Sequence, residues 1–184
     1  MKRIIGILLT ITLLISCTNS KEYEIENPNG IWTDSELVEL NSLVSEFDRI
    51  LISEYKSESE IKAYQEFSNN VFNDMAIPDL KEYTELNSDL KKLKVFDKIW
   101  RNFTDSITNK KHFDLKYNSK YQEYLKHIGG KSEFIKGYAD NFENSGDITP
   151  SVVAGFSRNI KEIDLSNKNN RLIFTIHYLT LINR

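Results

Sequence analysis

Residues 172–182 read Leu-Ile-Phe-Thr-Ile-His-Tyr-Leu-Thr-Leu-Ile, an apolar stretch of eleven residues near the end of the chain. At helical spacing this stretch leaves no polar face, so a helix formed here has to be buried on every side. Its isoleucine, phenylalanine, threonine and tyrosine content would also suit a buried strand. Because eleven residues exceed the usual length of a strand, we predict that the stretch is a helix.

The chain from residue 33 onward has the apolar period of a helix over most of its length. Thr33 followed by Glu36 predicts a capping box at a helix start, and Thr149 followed by Pro150 predicts a second such start. Pro78 predicts a helix end. The predicted helices begin near residues 33, 59, 79, 121, 132, 149 and 172; the third carries its apolar stripe from Tyr83 to Ile107, and the fourth ends at Gly129-Gly130.

Residues 110–118 interrupt the helical period. Phe113, Leu115 and Tyr117 alternate with polar residues, but three positions are too few to indicate a strand, so a loop is predicted. The sequence has no internal repeat and no second domain boundary. We therefore predict a single all-α domain, a helical bundle of six or seven helices, over residues 33–184.

The first seventeen residues have the order of a secretory signal peptide. Lys2 and Arg3 precede an apolar run over 4–15, which is too short for a bilayer that takes about 20 residues. The tetrapeptide Leu-Ile-Ser-Cys at 14–17 resembles the lipobox of bacterial lipoproteins, and the resemblance covers only this signal. It implies that residues 1–16 are removed and that Cys17, the single cysteine, is lipidated and anchors the protein in a membrane.

The residues after Cys17 bear on location. In bacterial lipoproteins an aspartate directly after the lipidated cysteine is similar to an inner-membrane retention signal. This chain has Thr18 at that position, so the resemblance implies the outer membrane. The lysine and acids that follow are similar to surface-export tags of Bacteroidetes lipoproteins, so a periplasm-facing and a surface-exposed position both stay open. Residues 17–32 end in the turn formers Asn-Pro-Asn-Gly and are predicted to be a flexible tether.

Charge is segregated along the predicted domain. Residues 33–89 contain 14 acidic and 4 basic side chains, whereas residues 90–136 contain 12 basic and 5 acidic ones. The two segments either neutralise each other inside the bundle or expose opposite faces. The predicted partner face is basic and aromatic, and the negative total charge disfavours a nucleic-acid partner. Its six candidate residues are Lys110, Lys111, Lys116, Tyr117, Tyr121 and Tyr124.

Motifs for catalysis are not found in the sequence. Glu123 and His127 lie one helical turn apart, but two ligands fall short of the four of a closed zinc site. His177 is predicted to be a core histidine. Residues 141–152 resemble an EF-hand loop but depart from it at both terminal ligands, so a helix stop at Gly146 followed by a cap is predicted instead. The tripeptide 105–107 is similar to the O-glycosylation acceptor of Bacteroidetes envelope proteins. We predict no metal and no cofactor.

The sequence thus predicts a membrane-anchored envelope lipoprotein that is a non-catalytic binding or accessory protein. Its partner would be a protein, an envelope assembly or a toxin that it neutralises. The alternative is a small hydrolase or a polysaccharide-acting enzyme with no recognisable motif. A cleft with convergent carboxylates would favour the enzyme, and an exposed apolar or single-sign patch would favour the binding protein.

Overall fold

The computed structural model describes residues 25–80 and 82–184, so the predicted signal peptide at 1–16 and the predicted lipid site Cys17 lie outside the described residues. The described chain is mostly helical, and seven of its helices have eight residues or more. In chain order its elements are α1 (Asp34–Tyr55), α2 (Glu60–Asp74), α3 (Tyr83–Leu90), the single-turn α4 (Phe96–Ile99), β1 (Trp100–Thr104), β2 (Lys111–Leu115), α5 (Lys120–Gly129), α6 (Glu133–Ser145), α7 (Pro150–Arg158) and α8 (Lys168–Ile182), with 3-10 turns at Pro28–Gly30 and Ile160–Glu162.

Helix α8 is the centre of the fold, and every residue from Lys168 to Thr180 is buried. The Phe174 ring lies 4.5 Å from the Tyr64 ring of α2 and 5.7 Å from the Phe156 ring of α7. On another side, the Trp100 indole donates a 2.8 Å hydrogen bond to the Thr180 hydroxyl. The prediction of a helix buried on every side is therefore confirmed.

The predicted helix starts near residues 33, 59, 121, 132 and 149 are confirmed, and each has a side-chain cap. The predicted start near 79 is wrong, because α3 begins at Tyr83 without a side-chain cap, and α8 begins at Lys168, four residues before the predicted start at 172. At α1 the Thr33 side chain accepts from the Glu36 N–H while the Glu36 carboxylate accepts from the Thr33 N–H. The Ser132 hydroxyl caps α6 and the Thr149 hydroxyl caps α7, which has a proline in its first turn. Gly146, with φ 68°, ends α6 in the left-handed conformation that glycine adopts without strain.

The all-α prediction is wrong in one region. The predicted loop at 110–118 and the end of the predicted third helix instead form an antiparallel hairpin in which Trp100 pairs with Leu115 and Thr104 with Lys111. The physical reason is a strand-like burial of alternate residues, since Phe113 and Leu115 both face the core. The Trp100 and Phe113 rings lie 5.4 Å apart across the two strands. The structure is therefore mainly helical with a small sheet.

The packed region begins earlier than the predicted boundary at residue 33. Ile25 is 5 % exposed and Trp32 is buried beside the Tyr124 ring. The Glu26 N–H donates to Asn169 Oδ1 at 2.8 Å, and the Asn27 side chain makes two hydrogen bonds to the backbone of Trp32. Residues 25–32 are thus part of the domain, and the rest of the predicted tether, 17–24, lies outside the described residues. None of the described helices has the length and apolar character needed to span a bilayer.

Candidate functional site

The three predicted partner-face lysines lie along the β-hairpin. Lys111 begins β2, Lys110 precedes it in the turn, and Lys116 follows the strand; all three are exposed. The Lys110 ammonium donates to the main-chain oxygen of Arg184 at 3.3 Å, and the Lys116 ammonium donates to that of Asp97 at 3.0 Å. The structure therefore places Lys110 beside Arg184, which follows α8, and Lys116 beside α4.

The three predicted partner-face tyrosines do not form one surface. Tyr117 is exposed, but Tyr121 and Tyr124 are both fully buried. The Tyr124 hydroxyl donates to Asn169 Oδ1 at 2.7 Å, and burial raises the pKa of both Tyr121 and Tyr124. The prediction that Tyr121 and Tyr124 present their rings to a partner is wrong, because α5 turns that side of the helix towards the core.

The charge-segregated segments are joined by few direct ion pairs. Between described residues, Lys120 pairs with Glu36 at 2.9 Å and Lys92 with Asp89 at 2.6 Å. Other lysines of the basic segment pair with acids outside the acidic segment, as Lys126 does with Glu143. Within 25–80 and 82–184, the hairpin residues Arg101, Lys110 and Lys111 make no ion pair with a side-chain carboxylate. The hairpin thus carries basic side chains without a carboxylate partner among the described residues, as do Lys91, Lys94 and Lys98 before it.

The remaining sequence candidates have ordinary structural surroundings. Glu123 and His127 line an open cleft beside the 3-10 turn at Pro28–Gly30. No group of three or more potential metal-ligating side chains occurs in the described part of the chain. The tripeptide 105–107 lies in the hairpin turn and not near a helix end, and the Asp105 carboxylate accepts from the N–H groups of Ile107 and Thr108.

His177 is a core residue, as the sequence predicts. Its ring is fully buried, stacks on Phe156 at 4.5 Å, and is joined to the Tyr138 hydroxyl by a 3.2 Å hydrogen bond through Nδ1. Burial lowers the pKa of His177 to about 3, and the positive charge of Arg184 acts in the same direction. A ring held neutral inside the core stabilises packing and has no access to a substrate.

A buried ionic cluster fixes the start of α8. The Arg171 guanidinium lies 3.2 Å from the Asp48 carboxylate, which also accepts a 2.7 Å hydrogen bond from the Tyr64 hydroxyl. Burial raises the pKa of Asp48, while Arg171 and the Tyr64 hydrogen bond oppose that rise. This is a perturbed carboxylate of the kind found in active sites, but it joins α1, α2 and α8. It lines neither the cleft beside Pro28–Gly30 nor the groove between α2, α7 and α8.

An apolar groove lies where α2, α7 and the end of α8 meet, with a volume of about 510 Å³. A volume of this size falls in the range of ligand-binding clefts. We call it the α2/α7 groove. Its apolar lining comes from the end of α2 and the residues after it, from the start of α7 and from α8: Val71, Phe72, Met75, Ala76, Ile77, Ile148, Pro150, Val153, Ala154 and Leu181.

The end of α2 creates the groove. The helix stops at Asp74 because Met75 takes the left-handed conformation, with φ 50°, and this turns the following residues away from the helix axis. The Met75 side chain is 81 % exposed, and Phe72 is also exposed. Phe72 directly follows the buried Val71, so its side chain lies about 100° round the helix from that of Val71 and points away from the core.

Arg184 connects the groove to the hairpin. Its guanidinium contacts the Asp147 carboxylate and donates to the Ile148 carbonyl at 3.0 Å on the groove side. On the hairpin side it donates to the Asp114 carboxylate of β2 at 2.6 Å. The Phe103 and His112 rings, on the same face of the hairpin as Asp114, lie 4.8 Å apart. The groove and the basic hairpin therefore form one continuous surface.

The surface consists of an exposed apolar channel with unpaired basic charge at one end, and such a patch is typical of a contact site for another macromolecule. Comparison of the chain with protein-family models, with curated proteins and with solved structures gave no significant match.

Proposed function

We propose that this protein is a membrane-anchored envelope lipoprotein that acts as a non-catalytic binding or accessory protein. A lipid on Cys17 would hold it in the outer membrane, and a protein partner would dock in the α2/α7 groove. The lipobox resemblance at residues 14–17 supports the anchor, and the geometry of the groove supports the docking.

Met75 is the observation that carries the docking proposal. A non-glycine residue in the left-handed region costs about 1–2 kcal/mol, and Met75 adopts this conformation with its apolar side chain in water. A partner that buried the side chain would recover about 1.5–3 kcal/mol of hydrophobic free energy. Methionine is also flexible and polarizable, so it adapts to the shape of a partner. Strain of this kind is commonly found at binding sites.

The position of the groove relative to the anchor favours a partner in the aqueous phase. The first described residues contact Asn169 at the start of α8, whereas Leu181 lines the groove at its end. Twelve residues of helix separate these positions by about 18 Å. Residues 17–25 reach at most about 29 Å from the lipid to the domain. The groove is therefore at the far end of α8 from the attachment point.

The charges of the groove favour binding over the predicted alternative of a hydrolase. Asp147 is the acidic side chain among the described groove residues, and Arg184 pairs with it. Acid–base hydrolysis of a glycosidic bond typically uses two carboxylates that face each other across a cleft. The described lining offers apolar contact area and does not offer such a pair.

A photo-crosslinking amino acid in place of Met75, in the full-length lipoprotein in native membranes, tests the proposal. The matched control carries the same amino acid in place of Val38, which is 69 % exposed on α1 and outside the groove. We expect a discrete protein adduct from position 75 that position 38 does not give. Equal adducts from both positions, or none from position 75, would reject groove docking.

The anchor needs a separate test. Replacing the thiol in Cys17→Ser should abolish labelling by a radioactive fatty acid and release the protein from the membrane fraction, because stable attachment takes two or more acyl chains. Continued labelling of the variant would contradict the proposed location.

A further inference from the structure

We infer that the segment docking in the α2/α7 groove is an amphipathic helix whose apolar side chains fill the groove and whose acidic side chains meet the basic hairpin. This inference rests on the proposed function and adds the chemistry of the partner to it.

The shape of the groove fits a short helix. Its walls are the end of α2 and the nine-residue helix α7, and its floor includes Leu181 of α8. Helix α7 is about 14 Å long, and residues i and i+7 of a helix are about 10.5 Å apart. The groove therefore accommodates apolar side chains at positions i, i+3 or i+4 and i+7 of a docked helix, which is the usual pattern of recognition of a helix in a groove.

The basic side chains at the end of the groove favour a partner with negative charge. Arg101 and Lys110 of the hairpin are exposed and have no side-chain carboxylate partner among the described residues. Arg101 lies opposite Asp114 on the strand face that Arg184 contacts, and the Lys110 ammonium reaches the Arg184 main-chain oxygen, whereas Lys111 lies on the other face with Phe113. The carboxylates of the same region are already occupied: Arg184 binds those of Asp114 and Asp147. An acidic partner would meet cations there that no side-chain carboxylate of the described residues neutralises, whereas a basic partner would meet carboxylates that are already paired.

The two parts of the surface have different roles. Exposed ion pairs contribute little to affinity, because water and salt screen them. They increase the association rate and fix the orientation of the docked segment. Apolar contact in the groove supplies the affinity and governs dissociation. Charge changes on the hairpin should therefore change the association rate, and apolar-to-polar changes in the groove should change the dissociation rate.

Two synthetic helical peptides serve as probes. Both carry leucine at positions i, i+4, i+7 and i+11, and their polar face carries glutamate in one and lysine in the other. Association with the full-length protein in detergent is followed by fluorescence anisotropy at low and high salt. We expect the glutamate peptide to associate at least about tenfold faster than the lysine peptide at low salt, and the ratio to approach one at high salt.

Protein variants separate the two contributions. The double variant Arg101→Glu, Lys110→Glu should remove the preference for the glutamate peptide, while Lys91→Glu, Lys94→Glu in the α3–α4 connection, with the same charge change, should keep it. Met75→Asp should raise the dissociation rate of both peptides without loss of fold, because aspartate tolerates the left-handed conformation and the site is exposed.

The outcomes distinguish this inference from the proposed function. If both peptides associate equally fast and Met75→Asp still releases them, the groove is a docking site and the acidic-partner inference is overturned. If neither peptide binds while position 75 still crosslinks a protein in membranes, the amphipathic-helix inference is overturned and the proposed function stands. Absence of the crosslink together with tight, Met75-independent peptide binding would overturn both.

Discussion

The buried histidine of α8 should make the protein lose stability in mild acid. In the unfolded chain the imidazole has a pKa of about 6.5, whereas burial lowers the pKa of His177 in the folded protein to about 3. Between pH 6.5 and pH 3 the imidazole therefore binds a proton in the unfolded state but not in the folded state. Stability from the neutral ring is complete above pH 6.5 and decreases as the pH falls from 6.5 towards 3.

The magnitude follows from the pH interval. Each pH unit well below 6.5 changes the free energy of unfolding by about 1.4 kcal/mol, so this one group lowers stability by about 3 kcal/mol between pH 7.5 and pH 4.5. His177→Phe keeps an aromatic ring against Phe156 and removes the titration. Other groups titrate in both proteins, so the difference between the wild type and His177→Phe isolates this contribution.

Urea unfolding of the two purified proteins at pH 7.5, 5.5 and 4.5 measures the effect. Compared with the difference at pH 7.5, we expect the free energy of unfolding of His177→Phe to rise relative to the wild type by about 1 kcal/mol at pH 5.5 and about 3 kcal/mol at pH 4.5. The control His127→Gln changes an exposed histidine and should follow the wild type at all three values. Parallel losses of stability in the wild type and His177→Phe would refute the reasoning.

Three further changes test the fold. Met75→Asn should raise the free energy of unfolding by up to about 1 kcal/mol in urea titrations, because asparagine tolerates the left-handed conformation; a loss of stability would show that the methionine contributes to packing. Deleting the chain from Leu172 onward should give an insoluble or molten product, because each large core side chain lost costs about 2–5 kcal/mol. A molten product would lack a near-ultraviolet circular dichroism signal, and a cooperative unfolding transition would contradict the prediction. Arg171→Ala leaves Asp48 buried without its cation and should cost about 3–5 kcal/mol by thermal unfolding, whereas Arg49→Ala at an exposed pair should cost less than about 1 kcal/mol.

Helix termini were predictable because their determinants lie within four residues of one another. Thr33 and Glu36 satisfy each other's backbone donors, and the Thr149 hydroxyl accepts from the third residue after it. These interactions form without any contact from the rest of the chain. The sequence order of the residues was therefore enough to locate these ends of α1 and α7.

The hairpin was not predictable in the same way. In β2 only Phe113 and Leu115 are buried, which is too short an alternation to indicate a strand. Its partner β1 had the apolar spacing of a helix end. The two strands pair because the Phe113 ring packs in the core against Phe96 and Trp100, whose own rings lie 5.6 Å apart. Short strands are selected by contacts that are distant in sequence, because their own backbone preference is weak.

The candidate surface depended on the tertiary structure still more strongly. Lys110 and Lys111 are exposed, as predicted. The spacing of the three tyrosines did not indicate that Tyr121 and Tyr124 are buried while Tyr117 is exposed. Their burial depends on how α5 is rotated against its neighbours, and one sequence does not specify that rotation.

The sequence by itself determined the central helix. Residues 172–182 have no polar face, so a helix formed there is removed from water only when it is buried on every side. It also determined the starts of α1, α6 and α7, through local hydrogen bonds. Only the tertiary structure decided that Met75 leaves the helical conformation, that Phe72 is exposed, and that Arg184 joins the groove to the hairpin. These features arise where α2, α7, α8 and β2 meet, and the free energy that fixes them comes from contacts between residues far apart in the chain.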